Sequence, residues 1–257
     1  MFLVHITPTN LPPQWRARQA MLRLVVGSKR TSTWSLRSWL LLKELNIPFE
    51  EVLVPFREDA QEQEAYRTQV KDVLRPGVVG KIAPTGKVPA LLDSKAGVAV
   101  WDTLAIAEYV AERNPHKAVW PKDQRTRALA RAVVAEMHSS FPALRGGLPG
   151  NFVNKLPVAG QKALQDKAVQ ADVDRVVEIW TSCLSEYGGP FLFGKEFTAA
   201  DAFFAPVAVG RFRAYAVPLP APAQTYVDTI ANLSSCKEWM AAAAKETPVA
   251  RLEKHKL

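Results

Sequence analysis

The stretch that decides the reading is Gly86-Lys-Val-Pro-Ala-Leu-Leu-Asp-Ser-Lys-Ala-Gly-Val-Ala-Val-Trp-Asp-Thr-Leu-Ala-Ile-Ala-Glu-Tyr-Val110. Val88 to Leu92 is short and apolar, with β-forming residues. Asp93-Ser94-Lys95-Ala96-Gly97 is turn chemistry, and Val98 to Trp101 is a second apolar run. Two apolar runs around a polar, glycine-containing turn predict a hairpin. Pro89 lacks a ladder donor, which suits the opening of a strand. Asp102 then stands where a helix N-cap belongs, ahead of Leu104, Ile106, Ala107 and Val110 at helical spacing. The unit is strand, turn, strand, helix.

Val-Pro-x-Leu, a hairpin, then an acidic residue, Ser or Thr, and x-Ala-Ile-x-x-Tyr resembles the glutathione-binding half of the glutathione S-transferase fold. That resemblance implies a cis proline at Pro89, so that the backbone of Val88 can pair with the cysteinyl unit of glutathione like an added strand. It assigns Asp102 and Thr103 to the γ-glutamyl end. Lys87, just before Val88, stands within reach of the glycine carboxylate, with a solvated lysine as the plain alternative. Helix physics points the same way: a helix N-terminus offers free N–H groups and a positive dipole end to a carboxylate. Asp102 can meet an ammonium. An ordinary capped helix after a hairpin is the plain alternative.

With 257 residues, 48% of them hydrophobic, the chain can form one large or two modest cores. No run of about 18 apolar residues predicts a transmembrane helix. Cys183 and Cys236 are far apart without CxxC or metal spacing, so a reduced compartment and no disulfide framework are expected. The four histidines make no metal constellation, and no metal is expected. The net charge of +8 suits anionic partners. Lys and Arg are nevertheless spread without a basic block or an aromatic-interleaved patch, which argues against nucleic acid. A site for anionic small molecules fits better.

Residues 1–20 read as a disordered extension, with Met21 directly before the first strand. Leu22–Val26 is expected as a strand, Ser32–Leu45 as a helix, Phe49–Val54 as a strand and Asp59–Val73 as a charged helix. With the hairpin and its helix the order is β-α-β-α-β-β-α, the thioredoxin-like order, over residues 21–112. The proline-rich segment from Arg113 to Pro121 marks a boundary. Residues 122–257 are expected to be all helical, with Asp123 as a cap, a long helix over Leu164–Leu184, a loop over Pro218–Pro222 and a last helix over Lys237–Glu246. Thr198 and Asp201 form a capping-box variant, read as structural. The fold class is thus an α/β thioredoxin-like N-terminal domain plus an all-α C-terminal domain, the glutathione transferase fold.

The chemistry requires a thiolate near neutral pH, whereas a free thiol titrates at about 8.5. An adjacent hydroxyl donor or a positive field must stabilise the anion. The resemblance places that group after the first strand, where the chain reads Thr31-Ser32-Thr33-Trp34-Ser35-Leu36-Arg37. Neither cysteine nor tyrosine occurs there, which leaves a serine-type transferase similar to bacterial and zeta- or theta-like members. Zeta members carry Ser-Ser-Cys-Ser-Trp-Arg-x-Arg, of which this segment is a looser echo. Matching the tryptophans puts Ser32 opposite their cysteine and Thr31 opposite their second serine. The catalytic hydroxyl stays open among Ser32, Thr31 and Thr33, in that order. Helix capping is the plain role for each. Lys29, Arg30 and Arg37 can add positive potential, although each alone reads as a solvated charge. On the substrate side stand Trp34, which begins the helix, and Met137, His138, Phe141 and Arg145 on the first long helix of the second domain. Met137 and Phe141, four apart, fit a core better than a pocket.

The resemblance implies conjugation of glutathione, as co-substrate, to a small electrophile by a soluble cytoplasmic homodimer engaged in detoxification. A zeta-type cis–trans isomerase using the same thiolate and a non-catalytic binding module are the other readings.

Overall fold

The computed structural model describes residues 22–56, 64, 65, 67–70, 72 and 85–249. The extension expected over 1–20 lies outside the described residues, as does most of the helix expected over 59–73; its described residues 64, 65, 67–70 and 72 are helical.

Four strands form one sheet: β1 (Leu22–Val26), β2 (Phe49–Leu53), β3 (Ala90–Asp93) and β4 (Val98–Trp101), in the order β2-β1-β3-β4. β1 runs parallel to β2 and antiparallel to β3, and β3 pairs antiparallel with β4. The mixed sheet follows from the connections. A helix, α1 (Thr33–Glu44), carries the chain from β1 to its parallel neighbour, while the turn after Asp93 joins an antiparallel pair. Asp93 Oδ1 accepts from the backbone N–H of Lys95 and Ala96 and so fixes that turn. Side chains alternate across the pleat. Leu24, Val26 and Leu91 join the main core, while Val25, Ala90 and Leu92 join a second cluster with Val54, Val70 and Ala99.

α2 (Thr103–Arg113) follows β4 directly. Past it, Val119 and Trp120 of the linking segment are buried, and the Val119 carbonyl accepts from the Ala199 N–H at 2.9 Å. The rest is helical: α3 (Gln124–Ser139), α4 (Pro142–Gly147), α5 (Pro157–Ala163), α6 (Lys167–Tyr187), α7 (Ala199–Val207), α8 (Ala221–Asn232) and α9 (Ser234–Lys245). Asp123 caps α3 through the Thr126 N–H, as expected. α8 begins inside the stretch expected as a loop: Pro222 occupies its first turn, where a missing N–H costs nothing. Pro206 lies inside α7, which passes into a π-helical turn over Ala208–Phe212.

Thr198 and Asp201 form the expected capping box. Asp201 is fully buried and accepts from Thr198 N (2.9 Å), Leu192 N (2.9 Å) and the Tyr226 hydroxyl (3.2 Å). Burial nevertheless raises its pKa to about 6, against the pull of those hydrogen bonds. Its work is structural. A continuous core joins β1, α1 and α2 to the helical half, with Trp180 packed on Phe204, Phe212 and Tyr226.

Candidate active site

The β3–β4 register builds the site. Ala90 pairs with Trp101, which brings Asp102 and Thr103 at the start of α2 beside Val88 and Pro89 at the start of β3. A cleft of about 490 Å3 opens there, lined by Trp34, Thr85, Lys87, Val88, Pro89, Trp101, Asp102 and Thr103. The Val88–Pro89 peptide is cis, as the resemblance implied. All five residues expected on the glutathione side therefore share one cleft. Thr85 and Trp101 join them without having been expected; Trp101 was legible only as the end of a strand.

Asp102 accepts the Leu104 N–H at 2.9 Å through Oδ1 and adopts φ 77°, ψ 134°. A non-glycine residue with positive φ is uncommon, and such strain gathers at ligand sites. His138 reaches this corner from α3. Its Nε2 is 3.4 Å from Asp102 Oδ2, and its Nδ1 is 3.4 Å from Thr103 Oγ1. Burial lowers the His138 pKa; Arg37 and Arg145 push the same way and Asp102 opposes them. The imidazole is thus neutral at neutral pH, with one ring nitrogen donating and the other accepting.

The four other residues expected on the substrate side divide. Trp34 lines the cleft. Its ring lies against the His138 ring at 5.3 Å and under the Arg37 and Arg145 guanidinium groups at 4.2 and 5.2 Å. Arg145 is half-buried and spends its donors on the end of α3, where Nε binds the Ser140 carbonyl at 2.9 Å and Nη2 the Met137 carbonyl. Met137 and Phe141 are in the core, 1% and 3% exposed, and line no part of this cleft. They do not share one helix as expected: Met137 is in the last turn of α3, whereas Phe141 lies beyond its end as the left-handed N-cap of α4, which also carries Arg145.

Of residues 31–37, Trp34 lines the cleft. Ser32 is the N-cap of α1: its Oγ accepts from Ser35 N at 3.3 Å and donates to Ser35 Oγ at 2.8 Å. Ser35 Oγ in turn accepts from the Gly27 N–H at 3.0 Å. Ser35 carried no expectation, although its spacing of three from a capping serine was the available signal. Thr31 Oγ1 is buried without a hydrogen-bond partner among the described residues. Thr33 is buried against Gly150, where an added Cβ would stand 2.4 Å from Thr33 Cγ2 and 2.8 Å from the Thr31 carbonyl oxygen.

The helical half holds this loop. Glu246 accepts from the Ser28 hydroxyl (2.6 Å) and the Lys29 N–H (2.9 Å). Trp239 Nε1 donates to the Lys29 carbonyl, and Phe152 N donates to the Arg30 carbonyl. Hence Lys29, Arg30 and Arg37 are not solvated charges: they are 7%, 6% and 1% exposed. Lys29 pairs with Glu51 at 2.7 Å between the rings of Trp39 and Trp239. Arg37 lies between the rings of Trp34 and Phe203, at 4.2 and 5.0 Å.

Comparison with known proteins agrees with this architecture. The family model for the glutathione S-transferase N-terminal domain matches residues 31–113, and that for the C-terminal domain matches residues 127–242. The fold and the cleft thus define a glutathione transferase, and the chain belongs to the glutathione S-transferase family. Among its relatives is the glutathione S-transferase-like protein OpS6 of Beauveria bassiana, 24% identical over 72% of this chain and 77% of that protein. Another, of Caenorhabditis elegans, is named probable maleylacetoacetate isomerase and is 25% identical over 75% of this chain and 80% of its own. A glutathione transferase homolog from Burkholderia, solved with bound glutathione, shares the fold with a TM-score of 0.60 at 24% identity, covering 88% of this chain and 100% of that one. No described helix is long and apolar enough to cross a membrane, and no described residues group as a metal site.

Proposed function

We propose that the chain joins the glutathione thiol to small electrophiles, and that the cleft between β3 and α2 holds the tripeptide. What carries this reading is the convergence of Lys87, Val88, Pro89, Asp102 and Thr103 on one cleft beside Trp34. Asp102 takes the γ-glutamyl ammonium. Thr103 and the free N–H groups at the start of α2 take its carboxylate. The backbone of Val88 pairs with the cysteinyl unit, and Lys87 meets the glycine carboxylate. The bound thiolate then attacks the electrophilic carbon; a carbon–sulfur bond forms and the leaving group departs with its electron pair. Binding places the reactants together.

Ser32 is the proposed hydroxyl donor to the thiolate, ahead of Thr31 and Thr33. A hydroxyl has one proton and two lone pairs. If Ser35 turns its proton toward Ser32 while still accepting from Gly27, the Ser32 proton is released toward the sulfur. His138 steadies Asp102 and Thr103 rather than gripping the electrophile. The protein works as a cytoplasmic homodimer in detoxification. A zeta-type isomerase that adds and then eliminates the same thiolate is the second reading, favoured by the name of the Caenorhabditis elegans relative.

Retention on immobilised glutathione, followed by assays with 1-chloro-2,4-dinitrobenzene and with maleylacetone, tests these readings. Conjugation of the first is the expected result. Isomerisation of the second alone would establish the zeta-type reaction. Retention without either reaction would leave a binding module. Light scattering tests the dimer.

A further inference from the structure

We propose that Glu246, which caps the end of α9, is a positioning residue for the reaction: it clamps the loop between β1 and α1 and so holds the Ser32 hydroxyl in place. This rests on the reading of Ser32 as hydroxyl donor given above and adds a residue to it. Both oxygens of the Glu246 carboxylate are used on adjacent residues of that loop. Oε2 accepts from the Ser28 hydroxyl at 2.6 Å, and Oε1 accepts from the Lys29 N–H at 2.9 Å. Hydrogen bonds to a charged acceptor are the strong ones. Ser28 and Lys29 are buried, so water does not make good these bonds when they are lost.

Glu246 completes a row of contacts. Trp239, Ala243 and Glu246 are spaced by four and three residues, which puts them on one face of α9 and its cap. Trp239 Nε1 donates to the Lys29 carbonyl at 3.0 Å, and Arg30 Nη1 donates at 3.4 Å to the carbonyls of both Ala243 and Glu246. Three successive loop residues thus meet one helix face. Glu246 is the member of that face that takes two of their donors at once.

The loop touches the hydroxyl pair of α1 in two places. The Ser28 carbonyl accepts from the Ser32 N–H at 2.8 Å, and the Gly27 N–H donates to Ser35 Oγ at 3.0 Å. Ser35 Oγ is in turn 2.8 Å from Ser32 Oγ. Gly27 also lies against the wall of the cleft, where an added Cβ would stand 2.9 Å from Val88 Cγ2. A shift of residues 27–29 therefore moves the Ser32 backbone and turns the Ser35 hydroxyl that orients its side chain. A misplacement of about 1 Å can lower a rate about a hundredfold. The charge of Glu246 works in the opposite sense: removing a carboxylate favours a nearby anion, so its loss alone would help the thiolate. A fall in turnover therefore reports lost position.

The test is steady-state kinetics with glutathione and 1-chloro-2,4-dinitrobenzene. Glu246→Ala should lower kcat about tenfold, yet change the KM for glutathione by less than about twofold, because Lys87, Val88, Asp102 and Thr103 stand on other elements. Glu246→Gln should keep most of the turnover, since its carbonyl can accept the Lys29 N–H while its amide donates to the Ser28 oxygen. Ser28→Ala, which removes one bond of the two, should lie between the wild type and Glu246→Ala. On a Ser32→Ala background, Glu246→Ala should cause little further loss, because it acts through that hydroxyl. Unchanged kcat in Glu246→Ala, a Gln variant as slow as the Ala variant, or a full second loss on the Ser32→Ala background overturns the inference. Should circular dichroism show Glu246→Ala unfolded, Ser28→Ala carries the test, and unchanged kcat there overturns the inference. Wild-type turnover in Ser32→Ala would instead refute the reading of Ser32 on which this one stands.

Discussion

His138 of the helical half stands 3.4 Å from Asp102 at the start of α2, with its other ring nitrogen 3.4 Å from Thr103. The corner proposed for the γ-glutamyl end is therefore shared between the two halves of the chain. Thr103→Ala should raise the KM for glutathione about tenfold, the effect of one hydrogen bond to a charged group worth about 1.5 kcal/mol. Turnover at saturating glutathione should change less. His138→Ala should raise the same KM about fivefold, as one neutral hydrogen bond of about 1 kcal/mol is lost. Steady-state kinetics with glutathione varied decide both; an unchanged KM in Thr103→Ala would remove this helix from the binding site.

Ser32 and Ser35 form a hydroxyl pair at the first turn of α1, 2.8 Å apart. If Ser32 donates to the thiolate, Ser32→Ala should lower turnover about 10- to 100-fold and move the pH–rate profile upward. Glutathione binding should survive, because Val88, Asp102 and Thr103 are untouched. Ser35→Ala should give a smaller loss in the same direction, because it removes the O–H that would donate to Ser32 and polarise the Ser32 proton toward the sulfur. The matching changes at Thr31 and Thr33 fix the register. Turnover and pH dependence unaltered in all of these variants would rule out a serine-type mechanism.

Gly150→Ala tests how the halves close on the site. The new Cβ would meet Thr33 Cγ2 at 2.4 Å and the Thr31 carbonyl at 2.8 Å. Relief requires backbone movement, so stability should fall by about 1–3 kcal/mol. Turnover should fall with it, because the displaced segment begins α1. Wild-type melting together with wild-type turnover would show that this contact does not position the segment.

Asp201 predicts a pH dependence with a definite sign. Its folded pKa of about 6 lies above the ordinary 3.8, so the native state binds this proton more tightly than the unfolded chain. That contribution is complete below the unfolded value and is lost as pH rises through the folded one. The stability of the wild type minus that of Asp201→Ala should therefore shrink between about pH 4 and 6, by up to about 3 kcal/mol. Near pH 4, Asp201→Ala should cost at least the 1–2 kcal/mol or so of a lost cap. Denaturant melts at several pH values measure the difference; a difference that grows with pH would contradict the buried assignment.

The local structure around the cleft is legible in the residues that build it. Gly86–Val110 contains its own turn, strands and cap, because Asp93 and Asp102 accept from backbone only two or three residues away and Gly97 supplies a positive φ of 67°. The same holds for Thr198 and Asp201, whose box closes over three residues. Interactions of that range are written in spacing. The burial of the charges depends on contacts between distant parts of the chain. Lys29, Arg30 and Arg37 look like solvated residues in the chain, yet each is buried by groups more than 100 residues away, among them Trp239, Ala243 and Phe203. Such contacts also place Met137 and Phe141 in the core while His138 turns to Asp102. One helix face can pack on a core or a cleft with the same periodicity, and what lies opposite that face is fixed only when α1, α2 and α3 come together.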